Sequence, residues 1–274
     1  MKLGLNSWTT GDGVDLPTDI SVAARAGYEL LEIKQSKIEA ALAAGLDLPK
    51  IAEMLRRAGL SILNVNTLDQ ATLAEGPELE ALATRCRAMC GYAAALGAPY
   101  VLIGPTYLDD GEARDRAGIR VRTIGALRRY ADQARAAGVK IAFEFHGYAR
   151  ASINTLAETL ELFDRLNDPD IALVVDTFHF YVGGSALADL RRLPPDRLAA
   201  VHLADVDHED RATLGRDNRV LPGAGVMPIR SMTATLAEAG YAGPYTIELF
   251  RQDYWAMDPA VVAAKGITAM RSVL

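Results

Sequence analysis

The chain has 274 residues, 50% of them hydrophobic, with 29 Lys and Arg against 35 Asp and Glu for a formal net charge of −6. That length and apolar content suit one (β/α)8 TIM-barrel domain spanning residues 1–274 better than a sandwich, and an acidic chain without a Lys/Arg block excludes a nucleic-acid footprint. The amino end, Met1-Lys-Leu-Gly-Leu, turns polar at Asn6, too soon for a signal peptide, and no later stretch approaches the about 18 apolar residues of a membrane span, so a cytoplasmic protein that meets neither DNA nor membrane is expected.

The elements repeat one punctuation. Lys2-Leu-Gly-Leu-Asn is the first candidate strand, with Trp8 just past it. Arg25-Ala-Gly then ends a helix before Tyr28-Glu-Leu-Leu-Glu-Ile, whose end carries Glu32 and Lys34. Arg57-Ala-Gly precedes Leu60-Ser-Ile-Leu-Asn-Val, which places Asn64 and Asn66 at the end of the third strand. The helical segment Pro77 to Leu96 holds Cys86 and Cys90 one turn apart, a spacing for reduced, packed thiols rather than a disulfide or a metal knuckle. Ala95-Leu-Gly precedes Tyr100-Val-Leu-Ile, a helical segment runs from Ala113 to Ala137, and Ala136-Ala-Gly opens onto Val139-Lys-Ile-Ala-Phe. Ile171-Ala-Leu-Val-Val, Leu198-Ala-Ala-Val-His-Leu and, after Ala239-Gly, Tyr245-Thr-Ile-Glu-Leu complete eight candidate strands. Each glycine can take the left-handed conformation that ends a helix, and an apolar run follows within a few residues. Eight alternations at roughly 30-residue spacing fit a TIM barrel. A doubly wound dinucleotide-binding sheet would show GxGxxG after its first strand, whereas the glycines of Asn6-Ser-Trp-Thr-Thr-Gly-Asp-Gly fall at another spacing.

Four of these runs close on residues that can ligate metal: Glu144, Asp176, His202 and Glu248. In a TIM barrel the carboxyl ends of the strands carry the active site, and strands five to eight are neighbours around the ring, so the four converge. Three carboxylates and one imidazole suit a single divalent ion, Mn, Mg or Co before Zn, with no thiolate nearby. Taken singly, each has a structural role open to it: Asp176 before Thr177 can cap the next helix, and His202 can be a satisfied core histidine. The coincidence of four, with Glu144 and Glu248 flanked by apolar residues, favours the metal. Around them, His179 in Asp176-Thr-Phe-His can hydrogen-bond a substrate hydroxyl or be a surface histidine, and Asp205 can join the substrate-binding residues, orient His202, ligate, or cap its loop. Arg219, ahead of the turn Leu221-Pro-Gly-Ala-Gly, can reach a ligand or stay solvated. Trp8, Glu32, Lys34, Asn64 and Asn66 are candidate pocket wall. Phe250, Tyr254 and Trp255 are either pocket wall or a homo-oligomer interface.

With these residues placed, the chain resembles the xylose isomerase-like sugar isomerase/epimerase superfamily from first strand to last. The motifs that carry the resemblance are Ile141-Ala-Phe-Glu-Phe, Val175-Asp-Thr-Phe-His-Phe, Val201-His-Leu-Ala-Asp, Leu221-Pro-Gly-Ala-Gly and Ile247-Glu-Leu-Phe-Arg. Within it the chain is similar to the inosose isomerase branch of inositol catabolism, through Gly27-Tyr-Glu-Leu-Leu-Glu-Ile, Ile153-Asn-Thr and Asp217-Asn-Arg-Val-Leu-Pro-Gly-Ala-Gly. The resemblance implies that the four ligands hold a divalent metal, that the two glutamates flank a small polyhydroxylated ketone, and that His179 and Arg219 touch it. His146 and Tyr148 depart from the branch's pattern, which bears on substrate identity more than on chemistry. The expected reaction moves a carbonyl to the adjacent carbon through an enediolate, with Glu144 and Glu248 transferring the protons. A ketose 3-epimerase or hydroxypyruvate isomerase would use the same ligands. A nuclease of the same fold would need further metal ligands and a basic groove, and a non-catalytic sugar-binding barrel would not need the complete ligand set.

Overall fold

The structure is a computed structural model and describes residues 1–109 and 115–274. Eight parallel strands close into a barrel: β1 (Leu3–Asn6), β2 (Leu30–Lys34), β3 (Ser61–Leu68), β4 (Tyr100–Ile103), β5 (Lys140–Glu144), β6 (Ile171–Asp176), β7 (Leu198–Leu203) and β8 (Tyr245–Ile247), with β8 returning to β1. Each follows a run anticipated from sequence, and the glycines mark the joints. Gly27 sits at φ +89 after α1 (Leu16–Ala26), which lets the Tyr28 N–H reach back to Ala23 O at 3.1 Å before β2 begins. The predicted helix Pro77 to Leu96 is Gly76–Leu96, with Cys86 and Cys90 buried and free. The helix expected over Ala113 to Ala137 is Arg116–Ala136; its expected first residue, Ala113, lies outside the described residues. Among the described residues, no helix is long and apolar enough to cross a membrane.

Side chains alternate across each strand, and this alternation builds two cores. Leu31, Ile33, Phe143, Val175 and Val201 face the surrounding helices. Leu30, Leu102, Ala142, Val174 and Ala200 form a smaller cluster of their own. Two residues further along, on the same strand face as that smaller cluster, stand Glu32, Glu144, Asp176 and His202. The register levels them: Asn6 pairs with Glu32, Glu32 with Asn64, and Asp176 with His202. A polar ring therefore caps the apolar filling of the barrel.

The loop after β1 is tied down by a buried ion pair. Lys37, on α2 (Gln35–Ala43), lies 2.7 Å from Asp19 of α1 and donates to Ser7 O at 2.9 Å, while the Thr10 hydroxyl donates to Asp19 at 2.6 Å. Burial pushes the Asp19 carboxyl up to about 6 against the pull of Lys37, so the pair holds the loop only as long as both charges are present. Lys37→Met, which strands Asp19, is expected to lower unfolding stability by about 3–5 kcal/mol in chemical denaturation, and adding Asp19→Leu should recover most of that loss; equal stability of the two variants would contradict this account.

Candidate metal centre

Glu144 and Asp176 are the last residues of β5 and β6, His202 lies within β7, and Glu248 stands one residue beyond β8. One ligand atom from each lies within 4.8 Å of the others, and all four residues are buried. His202 Nδ1 is 3.0 Å from Glu144 Oε1 and 3.5 Å from Glu248 Oε2. Glu144 Oε1 and His202 Nδ1 meet without hydrogen-bond alignment and are left as buried polar atoms with no partner. On the far side of the ring, His202 Nε2 lies 3.0 Å from Glu32 Oε2, the carboxylate that accepts its proton. That bond keeps a proton on Nε2, so Nδ1, which faces the acids, is the nitrogen that would give up its proton and offer a lone pair to a cation. Lone pairs aimed at one point from three carboxylates and an imidazole fit a divalent cation.

Neighbouring strands hold these groups by backbone contacts. The Thr177 hydroxyl donates to Ala204 O at 2.7 Å and accepts from Ala204 N at 3.0 Å, fixing the exit of β7 two residues past His202. Thr9 does the same around Glu248: its hydroxyl donates to Ile247 O at 3.0 Å and accepts from Leu249 N at 3.1 Å. Glu248 therefore has a set position although it follows the strand proper. Asn6 Nδ2 bridges two acids, donating to Glu248 Oε1 at 2.9 Å and Glu32 Oε2 at 3.0 Å.

Asp176 fulfils both of its sequence readings at once. Its Oδ1 caps the helix Thr177–Val182, accepting from Phe178 N at 2.6 Å and His179 N at 3.3 Å. Its Oδ2 faces the cluster, where Arg219 Nη1 approaches to 2.5 Å. Arg219 is fully buried, lies 4.3 Å from the Phe178 ring and 4.9 Å from the Phe250 ring, and also reaches Glu248 Oε2 at 3.3 Å. Its place comes from a two-residue ribbon in which Val206 pairs with Arg219. Asp205 orders that ribbon: its carboxylate accepts from the N–H groups of Val206, Gly223, Gly225 and Met227 at 2.8–3.1 Å. A Cβ on Gly225 would fall 2.1 Å from Val206 O, which is why this turn needs glycine.

His179 is set by an equally tight contact. The Gly147 N–H donates to its Nδ1 at 3.2 Å, and a Cβ on Gly147 would lie 2.2 Å from His179 O. Burial, reinforced by His146 and Arg219, holds the His179 pKa well below the ordinary imidazole value, so the ring is neutral with its proton on Nε2. Arg219 Nη2 lies 3.4 Å from that nitrogen. Two donors side by side present themselves to one outside acceptor.

Charge among the cluster's own side chains is tightly balanced. Burial alone would discharge His202, yet Glu32, Glu144 and Glu248 keep its pKa well above the usual value. Burial, joined by the repulsion of Glu144, pushes Glu248 up to about 7 against the pull of His202 and Arg219. Glu144 resists burial and stays well below the usual range because His202 and His146 stand beside it.

A cavity of about 490 Å³ opens above the cluster, bordered by Glu144, Glu248, His179 and Arg219 together with Trp8, Asp69, Tyr107, His146, Tyr148 and Phe250. Asp176 and His202 lie behind this wall. Several expected wall residues stand elsewhere. Glu32 is fully buried behind His202, Asn64 and Asn66 are buried in the polar ring, and Asp205 serves its own loop. Lys34 pairs with Asp12 at 2.5 Å and lies over the Trp8 ring, outside the cavity. Of the three aromatics after β8, Phe250 is cavity wall against Trp8 at 5.0 Å, and Trp255 packs behind it, its indole donating to Trp8 O at 2.8 Å. Tyr254 accepts from Leu221 N at 3.3 Å. Sequence reading passed over Asn6, Asp69 and Tyr107. Asn6 closes an apolar run as the four ligands do, so its signal was present; Asp69 and Tyr107 lie past strand ends in polar segments that resemble any loop.

A family model described as xylose isomerase-like TIM barrel matches residues 20–273. The inosose isomerase of Halalkalibacterium halodurans is 27% identical over 270 residues, covering 98% of this chain and 95% of that protein. An L-ribulose 3-epimerase from a Methylomonas species is 30% identical over 241 residues, 85% of this chain and 78% of that one. Among solved structures, the IolI protein with a bound zinc atom superposes with a TM-score of 0.94 over 100% of this chain and 98% of that chain at 24% identity, which establishes the shared fold.

Because His202 holds a proton in the metal-free protein at neutral pH, metal uptake should release one, and affinity should fall as the pH is lowered from 8 to 6. Calorimetric titration with Mn²⁺ in buffers of different ionisation enthalpy reads that proton directly; identical heats in all buffers would contradict the protonated imidazole. Glu32→Gln removes the carboxylate that sets the tautomer and is expected to weaken metal binding about 10–100-fold in a folded protein, as read by competition with a chelating dye.

Proposed function

Because the chain belongs to the xylose isomerase-like TIM barrel family, we propose that its metal centre isomerises a small polyhydroxylated ketone, moving the carbonyl to the adjacent carbon, and that the substrate is an inosose. The observation that carries this reading is a division within the cluster: of the four candidate ligands only Glu144 and Glu248 border the cavity, while Asp176 and His202 stand behind them. The relatives support the same chemistry, being isomerases and epimerases of small carbonyl compounds by name.

Glu144, Asp176, His202 and Glu248 would hold one divalent ion. Zinc is bound in the IolI structure, and the oxygen-rich set also accepts Mn²⁺, Mg²⁺ or Co²⁺. When bound, the ion polarises the ketone and its neighbouring hydroxyl and so favours enediolate character. The chain supplies the rest. One glutamate removes the proton from the hydroxyl-bearing carbon and a glutamate returns a proton to the former carbonyl carbon, while a proton passes between the two oxygens, so no external oxidant or reductant is needed. His179 Nε2–H and Arg219 Nη2 converge as donors for a substrate oxygen, and Trp8 and Phe250 close the apolar side of the cavity. The acting unit is the single barrel of residues 1–274, in the cytoplasm, with neither nucleic acid nor membrane as a partner.

Incubation of the metal-loaded protein with an inosose in D₂O, followed by NMR, should show carbonyl migration with deuterium entering at the carbon beside it, and a chelator should abolish both. Exchange into a ketose but not an inosose would move the enzyme to the epimerase reading. Glu248→Gln should cut turnover by roughly 10²–10⁴-fold with substrate still bound; a variant turning over near the wild-type rate would remove Glu248 from the proton path.

A further inference from the structure

The cavity wall also carries a carboxylate that the mechanism does not use. Asp69 follows β3, is exposed at the cavity's edge, and among the described residues has neither a hydrogen bond nor an ion pair. Its surroundings are built to keep it there. A Cβ on Gly104, just past β4, would lie 2.7 Å from Asp69 Oδ1 and 3.3 Å from His146 Cε1, and the φ of Gly104 lies outside the left-handed range. A side chain at Gly104 would therefore displace the Asp69 carboxylate from its present place, with no backbone reason for glycine there. The next residue, Gln70, holds a φ of +59, uncommon for a side chain of its type, and its Oε1 accepts from Tyr107 N at 2.8 Å. Tyr107 in turn bonds His146 Nδ1 through its hydroxyl at 2.6 Å, and the His146 ring stacks on His179 at 4.4 Å. One continuous wall thus runs from the unpaired carboxylate to the donor pair over the metal centre.

We propose that Asp69 is the specificity-determining residue that reads the hydroxyls remote from the reacting carbons. An ionised carboxylate is an acceptor only, with two oxygens that can take hydrogen bonds from two neighbouring O–H groups. The ligand class it selects is a neutral ring or chain of adjacent hydroxyls. A ligand that sets an acceptor-only group, such as a carboxylate, against Asp69 gains no hydrogen bond there. Gly104 and the Gln70–Tyr107 bond act through Asp69 and position it. This inference rests on the isomerase reading and extends it to the part of the substrate that does not react.

The test compares inosose with 2-hydroxycyclohexanone, which keeps the reacting ketone and hydroxyl on a six-membered ring and lacks the remote hydroxyls, in the metal-loaded wild type, Asp69→Asn, Asp69→Ala and Gly104→Ala, with metal content checked in each. Turnover of both substrates is read as deuterium uptake from D₂O, because carbonyl migration converts 2-hydroxycyclohexanone into itself. For inosose, kcat/KM should fall about 10–100-fold in all three variants, through KM with kcat nearly unchanged. For 2-hydroxycyclohexanone the variants should match the wild type. Equal losses on both substrates, or inosose kinetics within about two-fold of wild type, would overturn the proposal. Calorimetry with unreactive myo-inositol reads the same contact without turnover. Weakened binding in Asp69→Ala supports the assignment even if inosose is not turned over, and unchanged binding overturns it even if inosose is turned over, so the two readings fail separately.

Discussion

Everything at the mouth of this barrel answers one constraint: Glu32, Glu144, Asp176 and Glu248 are buried within one polar layer, and charge without water must be compensated locally. His202 sits between three of them and Arg219 between the other contacts of Asp176 and Glu248. Even so, Glu144 Oε1 and His202 Nδ1 meet without an aligned hydrogen bond. A protein that stabilises itself by pairing would not gather three carboxylates and an unaligned imidazole edge at this depth. A divalent cation resolves the excess of acid and the orphaned atoms together, so the most expensive feature of the fold is also its function.

Compensation depends on position, and position here comes from backbone rather than from long side chains. Thr9 and Thr177 each bond both sides of a strand exit, fixing Glu248 and His202. Gly147 and Gly225 permit contacts that any Cβ would block, and these fix His179 and the ribbon that carries Arg219. Main-chain bonds have few ways to relax, which suits groups that must meet a substrate within a fraction of an ångström.

The result is a layered division of work. Glu32 and Asn6 orient ligands from beneath, Asp176 and His202 form the back of the cluster, and Glu144 and Glu248 face the cavity, where proton transfer is needed. The outer wall, from His179 through His146 and Tyr107 to Asp69, sets donors and acceptors along the cavity. The four candidate ligands lie at the base, and His146 and Tyr148 lie in the wall.

The sequence by itself determined the barrel and placed its four candidate ligands. Helix-ending glycines and apolar runs recur along the chain, and a residue at the end of a strand has its place settled by local chemistry: alternation along β5, β6 and β7 turns Glu144, Asp176 and His202 to the face where the register brings them level. What each further polar residue does was decided only by tertiary structure. Glu32 and Lys34 share a strand and a face in sequence, yet one orients His202 from the buried ring and the other pairs with Asp12 outside the cavity. Asp205 stands near His202 in sequence but spends its oxygens on four backbone N–H groups of its own loop, whereas Asp69 gave no local signal and borders the cavity. Strand periodicity is a local property that a sequence prints directly, while the partner of a loop side chain depends on which distant loops close over the same end of the barrel.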